Sequence, residues 1–311
     1  MITVRDHGGG IDAAMLQFGG ERADWLDLST GINPVPYPLG QIEANAWTAL
    51  PDRAAATALE AAARQFWMVP AQAAVLAAPG ASALIARLPH CFAAGKVSIP
   101  PPTYNEHAAA FVAQGWTVSD QLPQVQVVVH PNNPTGRVWQ AADLTGPITI
   151  IDESFCDVIP DQSLMALATR PGTVILKSFG KFWGLAGLRL GFAIGDPPII
   201  AKLTEALGPW PVSGPALQIG AQALQDQDWA TETRARLAAD TARLDQMMTR
   251  SGDVLVGGTT LFRLYQVNSA ADWQTRLARK YVWSRVFPYS QTWLRLGLPQ
   301  PDRWDQLGSA I

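Results

Sequence analysis

The chain has 311 residues, 48% apolar and 16% charged, with a net charge of −3. That is ordinary globular composition with enough apolar mass for a sizeable core in one to three domains. No lysine–arginine run appears, which argues against a nucleic-acid partner. Prolines, glycines and charges interrupt every apolar stretch before it reaches the ~20 residues that a membrane span needs.

The opening Met1–Asp6 turns glycine-rich at once and shows no secretory signal, so the chain reads as cytoplasmic. In His7-Gly8-Gly9-Gly10 the glycines let backbone approach a ligand closely. His7 there suits contact with a phosphate monoester, and a solvated terminal tail fits the same residues. Asn33, between Ile32 and Pro34, has an extended backbone that aims its amide at a ligand or makes a turn. Alanine-rich helices are predicted over 41–66 and 81–94. A strand over Val75–Ala78 runs into Gly80-Ala81-Ser82 at the start of the second helix, where backbone N–H groups point at an anion.

From there to about residue 195 strands alternate with helices, the pattern of a mainly parallel sheet covered on both faces. Val125–His130 is a short apolar strand entering the turn-rich Pro131–Gly136, whose prolines and glycine hold the Asn133 amide rigidly. Ile148–Ile151 is a buried β-branched strand that ends in Asp152-Glu153. Carboxylates at such a strand end lie where open α/β sheets bind ligands, although an isolated pair also serves as a helix cap or turn. Cys91 and Cys156 are too few and too far apart for a zinc site or a disulfide framework.

The most informative segment is Ser178–Phe192, in which Lys181 sits among glycines and apolar residues. Low-polarity surroundings disfavour the ammonium, and a neutral amine forms a Schiff base with an aldehyde. Ser178 and Arg189 flank that lysine as candidate phosphate ligands, arginine being suited to bidentate anion contact. Pro197-Pro198 precedes a helical region over 199–250. Strands near 261–267 and 281–287, with a helix between them, indicate a smaller α/β unit. Arg295 lies in the apolar strand Trp293–Leu298, where a charge is costly unless paired, so a carboxylate is its natural partner. Arg285 suits a phosphate or an edge-strand salt bridge equally.

In this order and spacing the segments resemble the fold-type I pyridoxal-phosphate (PLP) enzymes, the aspartate-aminotransferase superfamily. The resemblance implies an α/β fold: a large domain with a mainly parallel, seven-stranded sheet between helices, plus a smaller α/β C-terminal domain. It implies an arm over 1–40 packing with the small domain, a PLP-binding domain over 41–210 and a small domain over 211–311. Lys181 then matches the Schiff-base lysine, Asp152 the partner of the pyridine nitrogen, and Asn133 the contact to the ring hydroxyl. Tyr104, in Pro102-Thr103-Tyr104, matches the ring-stacking aromatic residue. Gly80, Ala81, Ser82, Ser178 and Arg189 match the phosphate-binding positions.

Within that superfamily, His7-Gly8-Gly9-Gly10, Leu26–Pro34, Asp152–Phe155, Pro209–Ser213 and Ala223–Asp226 are similar to the threonine-phosphate decarboxylases of cobalamin biosynthesis. The similarity runs along nearly the whole chain. It implies decarboxylation of L-threonine O-3-phosphate to (R)-1-amino-2-propanol O-2-phosphate by a homodimer. Arg295 would hold the substrate carboxylate, and His7, Asn33 and Arg285 its phosphate; no metal is implied. Histidinol-phosphate aminotransferases resemble the core segments equally and the opening less. A non-catalytic partner in corrinoid assembly is a third reading. Two positions depart from the common aminotransferase pattern: Phe155 replaces a tyrosine whose hydroxyl meets the cofactor, and Leu50 replaces a tyrosine that reaches the phosphate from the neighbouring subunit.

Overall fold

Strands buried on both faces must be apolar along their whole length rather than alternately, and Ile150, Ile151, Val174, Ile175 and Leu176 are fully buried in this way. They belong to a computed structural model that describes residues 5–250 and 252–311. Met1–Val4, part of the segment read as lacking a secretory signal, lie outside the described residues.

The described chain divides into two units. The larger comprises Pro36–Asn133 and Arg137–Thr231. Its seven-stranded sheet has the order Ala74–Ala78, Gly191–Gly195, Thr173–Ser178, Ile148–Asp152, Val125–Val129, Lys96–Ser98, Thr117–Val118. Only Gly191–Gly195 runs antiparallel to its neighbours. One face packs on Leu84, Ile85, Phe111, Ile199 and Leu203 from the helices Ala81–Arg87, Asn105–Ala113 and Pro197–Leu207. The other carries an aromatic layer in which Phe192 meets Trp67 at 4.9 Å and Phe179 stacks on Trp183 at 5.2 Å.

The smaller unit comprises residues up to Val35, Pro134–Gly136 and Glu232–Ile311. A four-stranded antiparallel sheet has the order Arg285–Phe287, Ser290–Gly297, Phe262–Gln266, Val254–Thr259. Leu26–Asp27 pairs in parallel with Val282–Trp283. Asp245, on the long helix Gln227–Arg250, accepts from both Arg263 (3.0 and 2.7 Å) and Tyr265 (2.6 Å), which pins the helix to the sheet.

Several segments differ from the sequence expectation for identifiable reasons. The helix expected over 41–66 is two, Ala44–Thr48 and Arg53–Phe66, interrupted at Leu50-Pro51, because proline lacks the N–H a helix interior needs. The region 199–250 is three helices, broken at Gly208–Ser213, where Trp210 has φ +50°, and again at Asp226. The strand expected over 281–287 divides at buried Ser284 between two sheets. Val254–Thr259, for which the sequence reading names no element, is a strand despite its Gly257-Gly258 pair. There the chain needs glycine: a Cβ at Gly257 would meet the Thr135 carbonyl.

Candidate active site

The larger unit gathers its polar groups at the carboxyl ends of the parallel strands, where the strand ends leave a crevice in open α/β sheets. Asp152 closes the strand Ile148–Asp152 and is 3% exposed. Its Oδ2 lies 2.9 Å from His107 Nε2, while its Oδ1 accepts from the Ser154 N–H (3.0 Å) and hydroxyl (2.5 Å). Burial alone pushes the carboxyl pKa up, but the His107 hydrogen bond and charge and both Ser154 donors outweigh it. The net result lies below the usual carboxylate range, so Asp152 stays ionised. The sequence reading missed His107. The available signal was its place one helical turn after Tyr104, whose ring it meets at 6.1 Å.

Tyr104 stands at the start of the helix Asn105–Ala113. The loop before it is tied to the Asn133 turn: Asn132 donates to the Pro102 carbonyl at 2.9 Å and accepts from the Thr103 hydroxyl at 2.6 Å. Asn132, also missed from sequence, thus holds the Tyr104 loop and the Asn133 turn in one arrangement. Asn133 itself is half-buried.

A second cluster forms where the helix Ala81–Arg87 begins. Gly80 has φ +85°, and no side chain caps the helix. A Cβ at Gly80 would sit 2.7 Å from Arg189 Nη2, and one at Gly191 would meet the Ala81 nitrogen. Arg189 is itself left-handed, at φ +54°, with Nη1 donating to the Ala186 carbonyl at 3.0 Å. Ser178 Oγ accepts from the Gly180 N–H at 3.3 Å. Ser82 is exposed. Lys181 is half-buried, with Nζ 5.3 Å from the centre of the buried Phe155 ring.

Behind these strand ends lies a buried charge cluster that the sequence reading did not assign. Lys177 Nζ is 2.7 Å from Glu153 and 3.4 Å from Asp157. Glu153 also accepts from the Ser163 hydroxyl and the Leu164 N–H, and Asp157 from the indole N–H groups of Trp67 and Trp183. Burial raises and Lys177 lowers the Glu153 pKa, and the net direction is down. Burial opposes the Lys177 ammonium, but Glu153 and Asp157 reverse that and raise its pKa. His130, Glu153 and Cys156 place ligand atoms within 4.8 Å of one another. However, His130 accepts from the Trp139 N–H and bonds the Gln162 carbonyl, and Glu153 is taken by Lys177, so those atoms are already committed.

The smaller unit holds the other four expected residues. Arg295 is 5% exposed and donates to the Ser29 carbonyl at 2.5 Å. Burial, then repulsion from Arg285, lowers its pKa to about 10. Arg285 is its cross-strand partner. The Arg285 terminal nitrogens donate to both Asp6 carboxylate oxygens (2.5 and 2.7 Å) and to the carbonyls of Asp6 (3.1 Å) and His7 (2.7 Å). The His7 side chain is exposed. Gly9 donates to Ser29 Oγ at 2.6 Å, and a Cβ at Gly8 would run into the Ser29 carbonyl. Gly8 and Gly9 are therefore anchored against Ser29, although Gly8 and Gly10 remain exposed. Asn33 is 2% exposed, and its Oδ1 accepts from Val35 N–H and from Arg236 at 2.7 Å.

This architecture, with a lysine, an aspartate and an uncapped helix start beside an arginine at the strand ends, is that of the fold-type I PLP-dependent enzymes. Residues 117–311 match the family model described as aminotransferase class I and II. A histidinol-phosphate aminotransferase from Sinorhizobium meliloti, solved in complex with pyridoxal-5'-phosphate, shares the fold. Its TM-score is 0.81 at 17% identity, covering 97% of this chain and 93% of that one. In sequence, the chain is 39% identical to a threonine-phosphate decarboxylase from Pseudomonas aeruginosa over 98% of this chain and 97% of the relative. It is 40% identical to one from a Sinorhizobium species, over 94% and 92%. The chain belongs to the class I and II aminotransferase family, in the branch that holds the threonine-phosphate decarboxylases.

Proposed function

We propose that the protein is a cytoplasmic PLP-dependent carboxy-lyase that converts L-threonine O-3-phosphate to (R)-1-amino-2-propanol O-2-phosphate and CO₂ for cobalamin assembly. The observation that carries this reading is the 39% identity to a threonine-phosphate decarboxylase across 98% of the chain. The likeness to the histidinol-phosphate aminotransferase, at 17% identity, is one of fold. Two free, buried cysteines fit a reducing compartment.

The residues of the larger unit suit the cofactor. Asp152 is a buried, ionised partner for a protonated ring nitrogen, and the space beside Gly80 that a Cβ would fill suits a phosphate ester. When bound, PLP supplies an electron sink for the pair left on Cα as CO₂ departs. Asp152 keeps the ring nitrogen protonated. Asn133 hydrogen-bonds the ring hydroxyl and Tyr104 covers the ring. Ser178, Arg189 and the backbone of Gly80, Ala81 and Ser82 hold the phosphate. Lys181 would hold the cofactor through its Nζ amine, and the same group, when not so engaged, would act as general acid toward Cα. Phe155 beside it contributes an apolar face and no hydroxyl.

Arg295 would take the substrate carboxylate in a bidentate contact and so fix how the substrate is oriented at the site. Arg285, His7 and Asn33 receive the substrate phosphate. We further propose a homodimer. The larger unit exposes Trp47, Leu50 and Trp210 to 66%, 66% and 57%, beside a cleft of about 450 Å³ lined by Pro51, Val75, Phe192, Trp210 and Leu217, an apolar surface of the kind that marks an interface.

The test is incubation of PLP-loaded protein with L-threonine O-3-phosphate, following CO₂ and the amine by mass spectrometry. Stoichiometric CO₂ and aminopropanol phosphate are expected. A keto acid with pyridoxamine phosphate would make it an aminotransferase.

A further inference from the structure

An anion can reach the Arg285 fork only by displacing groups already bound to it. A guanidinium has four terminal N–H groups, and the Arg285 terminal nitrogens make four hydrogen bonds, all to Asp6 and His7: two to the Asp6 carboxylate and two to backbone carbonyls. The Arg285 side chain is 12% exposed and that of Asp6 45%, so the pair is reached from solvent on the Asp6 side. Gly9 is held by Ser29 and by Trp283, whose indole N–H donates to the Gly9 carbonyl at 2.9 Å. The Asp6 carboxylate is therefore tethered next to the fork and competes for it at high effective concentration.

We propose that Asp6 is a specificity-determining residue: its carboxylate occupies the anion seat on Arg285 and yields it to a phosphate dianion but not to a singly charged anion. This rests on the assignment of Arg285 to the substrate phosphate. A monoanion offers Arg285 the same single charge that Asp6 supplies, without the tether, and so does not win the exchange. A phosphate monoester brings close to two charges and three acceptor oxygens. It also meets the field of Arg295, the cross-strand neighbour of Arg285. The displaced carboxylate turns to solvent, where its hydration is regained. The seat thereby discriminates by charge, favouring phosphorylated amino acids over acidic ones of similar length.

The experiment is calorimetric titration of the holoenzyme with methyl phosphate, a dianion at pH 8, and with dimethyl phosphate, a monoanion. Wild type, Asp6→Asn, Asp6→Glu and Arg285→Ala are compared, with CO₂ release measured in parallel. Wild type is expected to bind methyl phosphate and to show no dimethyl phosphate binding that Arg285→Ala removes. Asp6→Asn should bind methyl phosphate about fivefold more tightly, the scale of one partly exposed ion pair. It should also gain Arg285-dependent dimethyl phosphate binding, and Asp6→Glu should retain the discrimination. Asp6→Asn weakening or leaving unchanged its binding of both anions would overturn the inference and leave the function intact. Methyl phosphate binding undiminished in Arg285→Ala would overturn the inference by removing the seat itself. Absence of CO₂ release alone bears on the reaction and not on the seat.

Discussion

At the scale of single residues, the chemistry depends on protonation states that neighbours impose. In the role proposed for it Asp152 acts as an anion, and burial works against that; His107 and Ser154 restore it. Replacing His107 with phenylalanine removes the donor and leaves one carboxylate oxygen without its partner. The expected result is a fall in kcat of at least tenfold with weaker cofactor retention, read by absorbance after dialysis; unchanged values would leave His107 a mere core residue. Lys181→Ala should abolish CO₂ release from L-threonine O-3-phosphate, and undiminished turnover would sink the assignment of Lys181. Asp152 was legible in the sequence because a β-branched run that stops at a carboxylate is a pattern along the chain. His107 and Asn132 were not, because their meaning comes from partners 45 and 30 residues away.

At the scale of elements, two devices hold the strand ends in register. The Lys177 cluster joins the strand Thr173–Ser178 to the segment after Ile148–Asp152, and all three charged side chains are at most 3% exposed. Removing one partner strands a buried charge, so Lys177→Met should cost about 3–5 kcal/mol in chemical denaturation. Glu153 and Asp152 both have folded pKa values below their unfolded ones. Their stabilisation is therefore complete above an unfolded carboxylate pKa of ~4 and is lost as pH falls through the lower folded values. Stability should be flat from neutrality to about pH 5 with respect to these groups and decline on further acidification, as urea midpoints would reveal. The second device is the junction at Gly80, whose φ of +85° strains any side chain and where an added Cβ would push the Arg189 guanidinium aside. Gly80→Ala should loosen cofactor retention more than it lowers thermal stability, measured by dialysis and by melting of the apoprotein.

At the scale of the whole molecule, Leu50 raises the question of what replaces the cross-subunit tyrosine. It is 66% exposed on the larger unit, next to Pro51, which lines the cleft. If dimerisation carries this segment to the neighbour's phosphate, Leu50→Tyr should supply the missing donor and tighten PLP binding about tenfold, the value of a hydrogen bond to a charged group. Light scattering should give twice the chain mass for the wild type; a monomer would overturn the dimer proposal.

The sequence alone determined the α/β class and the strand ends at which carboxylates and turns gather. Apolar periodicity, prolines and glycines act through local sterics, and a strand buried on both faces must be written as an unbroken apolar run. From resemblance it also carried the family and cofactor. Only the tertiary structure decided which polar groups became partners: His107 with Asp152, Lys177 with Glu153 and Asp157, Arg285 with Asp6. Such pairings follow from which strand ends and loops the fold brings together, and the energy of a charge is set by neighbours as far as 279 residues distant along the chain, as for Arg285 and Asp6.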